Sequence, residues 1–159
     1  MSYNILGINP GHNGSACLVS DGELKYYLEE ERLSRMKYDG NPFKSMIDIM
    51  SKYHVDELVI VGTYPDHPTL PWTMEDVYTG LVRKYYPEVK TTILGQEHHL
   101  THASCAFYNS GFKKAVAIIV DGAGTYKDIS MNEEGSVKAK GCETESVWTC
   151  EYPSKFTVL

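Results

Sequence analysis

One pattern occurs twice in this chain of 159 residues, and it constrains the fold more than any other feature. NILGINPGHNG begins at residue 4 and AVAIIVDGAGT begins at residue 115. In each copy an apolar strand leads into a polar, glycine-bearing turn, and a hairpin pattern follows. The repetition predicts one complete lobe over residues 1–112 and the first strands of a second, similar lobe over residues 113–159. Chance similarity between two short strand-turn units is the alternative.

The segments of the first lobe predict an α/β fold with a mixed sheet. NILGINP, ACLVS and LKYYLEE read as three antiparallel strands, and ELVIVGT and KTTILG as two later ones. NPFKSMIDIMSKYHV carries apolar residues at helical spacing, and TMEDVYTGLVRKYY opens with Thr73 as an N-cap and Asp76 three residues later. HLTHASCAFYNSG predicts a third helix that Gly111 ends, and ERLSRMKYDG predicts a polar loop.

The second lobe is predicted only in part. AVAIIVDGAG reads as a buried strand, and TYKDISMNE and SVKAKGCE as a hairpin around the turn EEGS. The last segment, EYPSKFTVL, carries no pattern that would complete the lobe.

Composition excludes several classes of protein. The net charge is −6 and the basic residues are scattered, so bulk nucleic acid is not an expected partner. No apolar run is long enough to span a bilayer, and the N-terminus lacks a signal-peptide pattern, so we expect a cytoplasmic protein. The four cysteines are far apart and form no C-x-x-C pair, so neither a zinc ribbon nor a disulfide scaffold is expected.

The segment GQEHHLTHASCAFYNSG places three histidines within five positions. On a helix, His98 and His102 project from the same face and can hold one cation between them, whereas His99 points elsewhere and either orients a neighbour or faces solvent. Asp121, at the end of a strand, is the best third ligand, and this donor set suits iron(II), zinc or manganese. A helix face with solvated or otherwise satisfied histidines is the alternative.

Two glycine-bearing turns are further candidate sites. In DGAG, the glycines allow the backbone N–H groups of residues 122–124 to approach a phosphate, although the same turn can simply close a hairpin. In GHNGSA, His12 stands at the tip of a turn from which its side chain can reach a cleft, or it is merely solvated.

Four separated stretches together resemble one family. LGINPGHNGSACLVSDGEL, EEERLSRMKYDGNPF, EHHLTHASCAFYNSGF and VDGAGT resemble, in this order, the N-terminal part of the O-carbamoyltransferases. That family includes enzymes of nodulation-factor and of aminoglycoside or cephalosporin biosynthesis. The resemblance covers nearly the whole chain. It implies a domain similar to the tRNA threonylcarbamoyl-adenosine enzyme, with a two-lobed actin and hexokinase-like fold built from ribonuclease H-like lobes.

The resemblance also implies a two-step reaction. Carbamoyl phosphate and ATP form carbamoyl adenylate in a separate C-terminal domain, where the adenylation step uses magnesium. The N-terminal domain then moves the carbamoyl group to a hydroxyl of a small-molecule acceptor.

Roles follow for the residues that match the family's motifs. His98 and His102 would bind a divalent cation, expected to be iron(II), and Asp121 would contact the metal or the bound intermediate. The backbone of Gly122, Ala123 and Gly124 would lie near phosphate. His12 would act as general base toward the acceptor, and Lys37 would reach the nucleotide.

The chain departs from the family in length, because family members are several times longer. We therefore expect this polypeptide to be inactive alone and to associate with a complementary C-terminal polypeptide or with itself. There are two alternatives to a carbamoyltransferase part. One is a non-catalytic module that binds a metal and a nucleotide, and the other is a protein that transfers a threonylcarbamoyl group to tRNA. The acceptor stays open between a sugar, an antibiotic and a hydroxymethylated base.

Overall fold

The computed structural model describes residues 2–11, 13–61, 73–95, 97–131 and 137–159. The strands are β1 Asn4–Asn9, β2 Ser15–Ser20, β3 Glu23–Glu29, β4 Glu57–Val61, β5 Lys90–Leu94, β6 Lys114–Val120, β7 Tyr126–Met131, β8 Val137–Cys142, β9 Glu145–Glu151 and β10 Lys155–Val158. The helices are α1 Glu30–Ser34, α2 Phe43–Met50, α3 Met74–Tyr85 and α4 His98–Ser110. None of these helices is both long and apolar enough to cross a membrane.

Packing divides the chain into two compact units, Met1–Gly95 and Gln96–Leu159. The division groups α4 with the strands that follow it. The predicted division into domains after residue 112 stays a prediction.

A five-stranded mixed sheet organises the first unit, in the order β3-β2-β1-β4-β5. β1, β2 and β3 pair antiparallel, while β4 and β5 add in parallel to β1. The parallel strands need crossover connections, which contain α2 and α3. This arrangement confirms the predicted α/β fold with a mixed sheet.

The core of the first unit lies between this sheet and its helices. Alternate residues of β1 and β4 point into it, as the twofold period of a strand requires. The fully buried members with the largest side chains are Leu6, Ile8, Leu18, Met46, Ile49, Leu58, Ile60, Tyr78 and Val82.

Two of the predicted helices of this unit are present, and a further one was not predicted. α3 begins with the expected capping box, in which Thr73 Oγ1 accepts a bond from Asp76 N (3.1 Å) and Asp76 Oδ2 accepts one from Thr73 N (2.8 Å). α1 occupies the start of the segment predicted to be a polar loop. Its five residues are too few to show a helical period in the sequence.

The second unit contains an antiparallel sheet in the order β10-β9-β6 and a separate hairpin of β7 and β8. This three-stranded sheet has the same antiparallel pairing as β3-β2-β1 of the first unit, although β10 lies in the last segment, for which no such pattern was recognised in the sequence. The partner of β6 is nevertheless β9, which was not predicted, and β7 and β8 form an inserted hairpin. The predicted turn EEGS lies entirely outside the described residues.

Candidate metal centre

The N-terminal part of α4 carries two of the predicted ligands. His98 and His102 are four residues apart on this helix, and their Nε2 atoms lie 3.1 Å from each other. The helix ends where the sequence predicted, because Gly111 adopts a left-handed conformation with φ of 75°. The helical spacing thus brings both imidazoles to one place.

The third predicted ligand, Asp121, directly follows β6. Its backbone N–H donates to the carbonyl of Thr144 (2.7 Å), and its Oδ1 accepts a bond from the N–H of Gly122 (2.6 Å). These contacts orient the carboxylate so that Oδ2 lies 2.7 Å from His98 Nε2 and 3.7 Å from His102 Nε2. The second unit therefore assembles all three predicted ligands.

The donor atoms fit one divalent cation. All three lie within 4.8 Å of one another, and two nitrogens bound to one ion at about 2.0 to 2.1 Å stand roughly 3 Å apart. The side chains are partly open to solvent, with exposed fractions of 33% for His98, 52% for His102 and 31% for Asp121. A cation held here would keep coordination positions that an exogenous oxygen ligand can occupy.

The electrostatics of the cluster favour the deprotonated forms of His102 and Asp121. Partial burial lowers the pKa of His102, and the neighbouring His98 lowers it further. Burial by itself would raise the pKa of Asp121, but the hydrogen bonds from His98 and from Gly122 N–H outweigh it, so this pKa lies below its ordinary value. A neutral imidazole and an ionised carboxylate are the forms that bind metal.

His99 does not face solvent, contrary to one of the two expectations for it. Its side chain is fully buried, and Nδ1 lies 2.7 Å from the hydroxyl of Ser146 on β9. Ser146 was missed by sequence reasoning because nothing in the segment TESVWTCE distinguishes it. Only the pairing of β9 with β6 brings it to α4.

The backbone of the turn that follows Asp121 is already hydrogen-bonded within the protein. Gly122 N donates to Asp121 Oδ1, and Gly124 N donates to the carbonyl of Glu143 (2.6 Å). Gly122 and Ala123 are exposed. Their predicted role beside a phosphate stays a prediction.

In the first unit, two of the predicted motifs meet through their backbones. Gly11 N donates to the carbonyl of Gly40 (2.9 Å), and Gly14 N donates to that of Asp39 (2.8 Å). The turn of GHNGSA therefore lies against the end of the RMKYDG loop. Sequence reasoning proposed each motif separately and did not foresee this contact.

The two catalytic candidates of the first unit belong to these motifs. His12 lies outside the described residues. Lys37 is exposed, with its Nζ 4.0 Å from Glu31 and 5.2 Å from the centre of the Tyr38 ring. Arg35 and Tyr38 adopt positive φ values of 62° and 60°, which are uncommon for residues with side chains, and Arg35 is the left-handed C-cap of α1.

Three curated proteins resemble the chain in sequence. Nodulation protein NolNO of Sinorhizobium fredii is 29% identical over 138 residues, covering 72% of this chain and 20% of NolNO. An uncharacterized protein of Methanocaldococcus jannaschii is 32% identical over 124 residues, covering 76% of this chain and 22% of that protein. An uncharacterized protein of Synechocystis is 26% identical over an alignment of 192 positions, which covers 98% of this chain and 30% of that protein.

Solved structures and family models were also compared with the chain. YeaZ from Pseudomonas aeruginosa superposes with a TM-score of 0.46 and 13% identity, covering 99% of this chain and 67% of YeaZ. No protein-family model matches the chain.

The chain spans between 20% and 30% of the length of the three curated relatives. The motifs predicted a resemblance to a family that includes nodulation enzymes, and the similarity to NolNO confirms it. The chain is thus similar in sequence to a nodulation protein over about 72% of its own length.

Proposed function

We propose that this chain supplies the metal-binding and acceptor-side part of an O-carbamoyltransferase. The observation that carries the proposal is the convergence of His98, His102 and Asp121 on one point, in a chain related to a nodulation protein. The reaction would transfer a carbamoyl group from carbamoyl adenylate, formed from carbamoyl phosphate and ATP, to a hydroxyl acceptor. In this proposal, adenylate formation would fall to the parts of the longer relatives that this chain does not match.

The proposed transfer step replaces one bond to the carbamoyl carbon with another. The acceptor oxygen forms a bond to the carbamoyl carbon, and the bond from that carbon to the phosphate oxygen breaks. AMP leaves with the electron pair, and the hydroxyl proton passes to a base. His12 is our candidate base, because an imidazole titrates near neutrality.

The remaining candidate residues bind the nucleotide part of the intermediate. A cation, proposed to be iron(II), would supply positive charge next to the phosphate when held by His98, His102 and Asp121. Lys37 would neutralise a further phosphate charge, and residues 122–124 would line the phosphate side. The partners of the chain would be a small hydroxyl compound and a complementary C-terminal polypeptide.

Metal binding is the first test. The chain is titrated anaerobically with iron(II) and with zinc, beside His98→Ala, His102→Ala and Asp121→Asn. We expect about one equivalent in the wild type and strongly weakened binding in all three variants. His54→Ala is the matched control, because His54 is an exposed histidine of the first unit. Unchanged binding in the three variants would contradict the site.

Carbamoyl transfer is the second test, and it separates an enzyme part from a non-catalytic binding module. The chain is mixed with the C-terminal region of NolNO, carbamoyl phosphate labelled in the carbamoyl carbon, ATP and a panel of sugar, antibiotic and hydroxymethylated nucleobase acceptors. We expect label in an acceptor only when both polypeptides are present. Loss of transfer in His12→Ala with metal binding retained would support the base. In a parallel reaction with labelled threonylcarbamoyl adenylate and tRNA, label in tRNA would favour the threonylcarbamoyl-type alternative.

A further inference from the structure

His99 lies next to the proposed metal ligands and makes contacts that the metal site does not use. Its side chain is fully buried, whereas His98 and His102 are partly open to solvent. Its Nε2 has no hydrogen-bond partner among the residues that the structure describes. Burying a polar atom without a partner costs stability, so other contacts of this ring must offset that cost.

One such contact is a chain of hydrogen bonds to β9. His99 Nδ1 lies 2.7 Å from Ser146 Oγ, and Trp148 Nε1 donates to the same oxygen at 2.7 Å. Ser146 and Trp148 are two residues apart on β9, so they share one face of the strand. The serine hydroxyl therefore links the helix to a large side chain that is itself partly buried.

A second contact joins the His99 ring to the turn after Asp121. A Cβ added to Gly124 would stand 2.8 Å from both Cδ2 and Nε2 of His99. The ring thus lies directly against the α-carbon of Gly124, in space that a side chain would fill. Beside it, the backbone N–H of His98 donates to Thr125 Oγ1 at 3.3 Å.

These contacts connect the two pieces of backbone that carry the ligands. α4 carries His98 and His102, and the turn at residues 121–125 carries Asp121. Metal–ligand distances tolerate deviations of about 0.2 Å, so a small displacement of the helix relative to the turn would spoil the donor set.

We propose that His99, held by Ser146 and Trp148, is a positioning residue that sets the spacing between His98, His102 and Asp121 for one divalent cation. The proposal rests on the metal site proposed above. His99 itself touches no cation, because its ring nitrogens face Ser146 and Gly124.

The test compares variants that remove or keep the Nδ1 contact. His99→Leu fills similar space without a hydrogen bond, His99→Asn keeps a polar atom near the position of Nδ1, and Ser146→Ala removes the partner. Zinc affinity is measured by competition with a chromophoric chelator. We expect His99→Leu to bind about 10 to 100 times more weakly and His99→Asn to recover part of that loss.

Phe107→Leu is the control for general destabilisation. Phe107 is a buried residue of α4 that packs against Phe156, away from the histidines. Phe107→Leu should lower the melting temperature of the protein and leave its zinc affinity unchanged. The double variant of His99→Leu and Ser146→Ala should bind zinc no more weakly than His99→Leu, because each change removes the same contact between His99 and Ser146. Wild-type affinity in His99→Leu, or equal loss in Phe107→Leu, would overturn the proposal.

A metal-free measurement separates this inference from the proposed function. If the wild type binds no zinc, the proposed metal site fails. Even then, the amide resonances of Asp121 and Gly122 in metal-free protein report how the turn at residues 121–125 is placed relative to α4. We expect them to shift in His99→Leu and to return toward wild-type positions in His99→Asn. Resonances that stay unchanged in His99→Leu would overturn the positioning role.

Discussion

Gly14 lies in the turn between β1 and β2, where the backbone of the RMKYDG loop comes close. A Cβ on Gly14 would stand 2.8 Å from the carbonyl carbon of Gly40 and 3.0 Å from the carbonyl oxygen of Asp39. Both atoms belong to backbone and cannot rotate away. The contact between the two motifs therefore requires a residue without a side chain.

We expect Gly14→Ala to lower the free energy of unfolding by about 1 to 3 kcal/mol, because the added methyl group forces backbone apart. Gly80→Ala is the matched control. Gly80 lies in α3 with nothing within 4 Å of an added Cβ, and alanine there should stabilise the helix by about 1 kcal/mol. Urea unfolding measures both. If Gly14→Ala does not destabilise the protein, the close approach of Gly14 to the backbone of Asp39 and Gly40 is contradicted.

Glu57 is a buried carboxylate at the start of β4. It accepts hydrogen bonds from Thr92 Oγ1 (2.8 Å) and Tyr3 Oη (3.0 Å) and pairs with Lys90 (3.0 Å). Burial by itself would raise its pKa, but these three partners outweigh burial and lower it from the ordinary value of 4.5. The ionised form is therefore the one that the folded state stabilises.

The lowered pKa of Glu57 predicts a pH dependence of stability. Its contribution is fully present above the ordinary pKa of 4.5 and is lost as the pH falls through the lowered folded value. Glu57→Gln should cost roughly 1.5 kcal/mol at pH 7 and flatten the acid side of a stability-versus-pH curve. Exposed Glu88→Gln should leave the curve unchanged. A wild-type acid slope in Glu57→Gln would contradict the assignment.

At the scale of elements, α2 is stabilised at its N-terminus by a residue of another helix. Its own N-cap, Pro42, makes no side-chain cap bond. Glu30 of α1 is 2% exposed and accepts bonds from Lys44 N (3.0 Å), Ser45 N (2.8 Å) and Ser45 Oγ (2.8 Å). A carboxylate near the first turn also complements the helix dipole.

Glu30→Gln should lower the free energy of unfolding by about 2 to 3 kcal/mol, because the amide turns one acceptor into a donor that faces other donors. Glu29→Gln is the comparison, since Glu29 forms only a solvent-exposed pair with Arg32 at 3.2 Å, worth less than about 1 kcal/mol. Thermal unfolding followed by circular dichroism reports both. Equal effects of the two substitutions would refute the capping role.

At the scale of the whole molecule, β6 presents an apolar face to solvent. Val116, Ile118 and Val120 alternate along this strand and are 61%, 71% and 75% exposed. β6 is also an edge strand of its sheet, among the strands that the structure describes. An exposed apolar edge strand is prone to pair with another chain.

We expect the isolated chain to associate with itself as its concentration rises and Ile118→Lys to shift it toward monomer, because a charge opposes burial of this face. Leu24→Lys is the control. Leu24 is 61% exposed on β3, an edge strand of the five-stranded sheet. Sedimentation velocity distinguishes the species. Equal association of wild type and Ile118→Lys would show that β6 is not the contact.

The sequence predicted the order of the larger elements because each carries its own local pattern. Helical periodicity marked α2 and α3, and the capping box and Gly111 marked two helix ends. The i, i+4 spacing of His98 and His102 and the place of Asp121 after a strand were likewise legible. These features depend on neighbours along the chain, so a single sequence suffices.

Tertiary structure alone decided which distant segments meet. The pairing of β9 with β6, the burial of His99 against Ser146 and Gly124, and the capping of α2 by Glu30 join residues 14 to 47 positions apart. Nothing local in the sequence distinguishes such partners, because hydrogen bonds and packing between them form only when the sheets assemble. The local sequence therefore predicted most of the elements and the candidate ligands, but not α1 or β9, and the folded chain determined the distances between them.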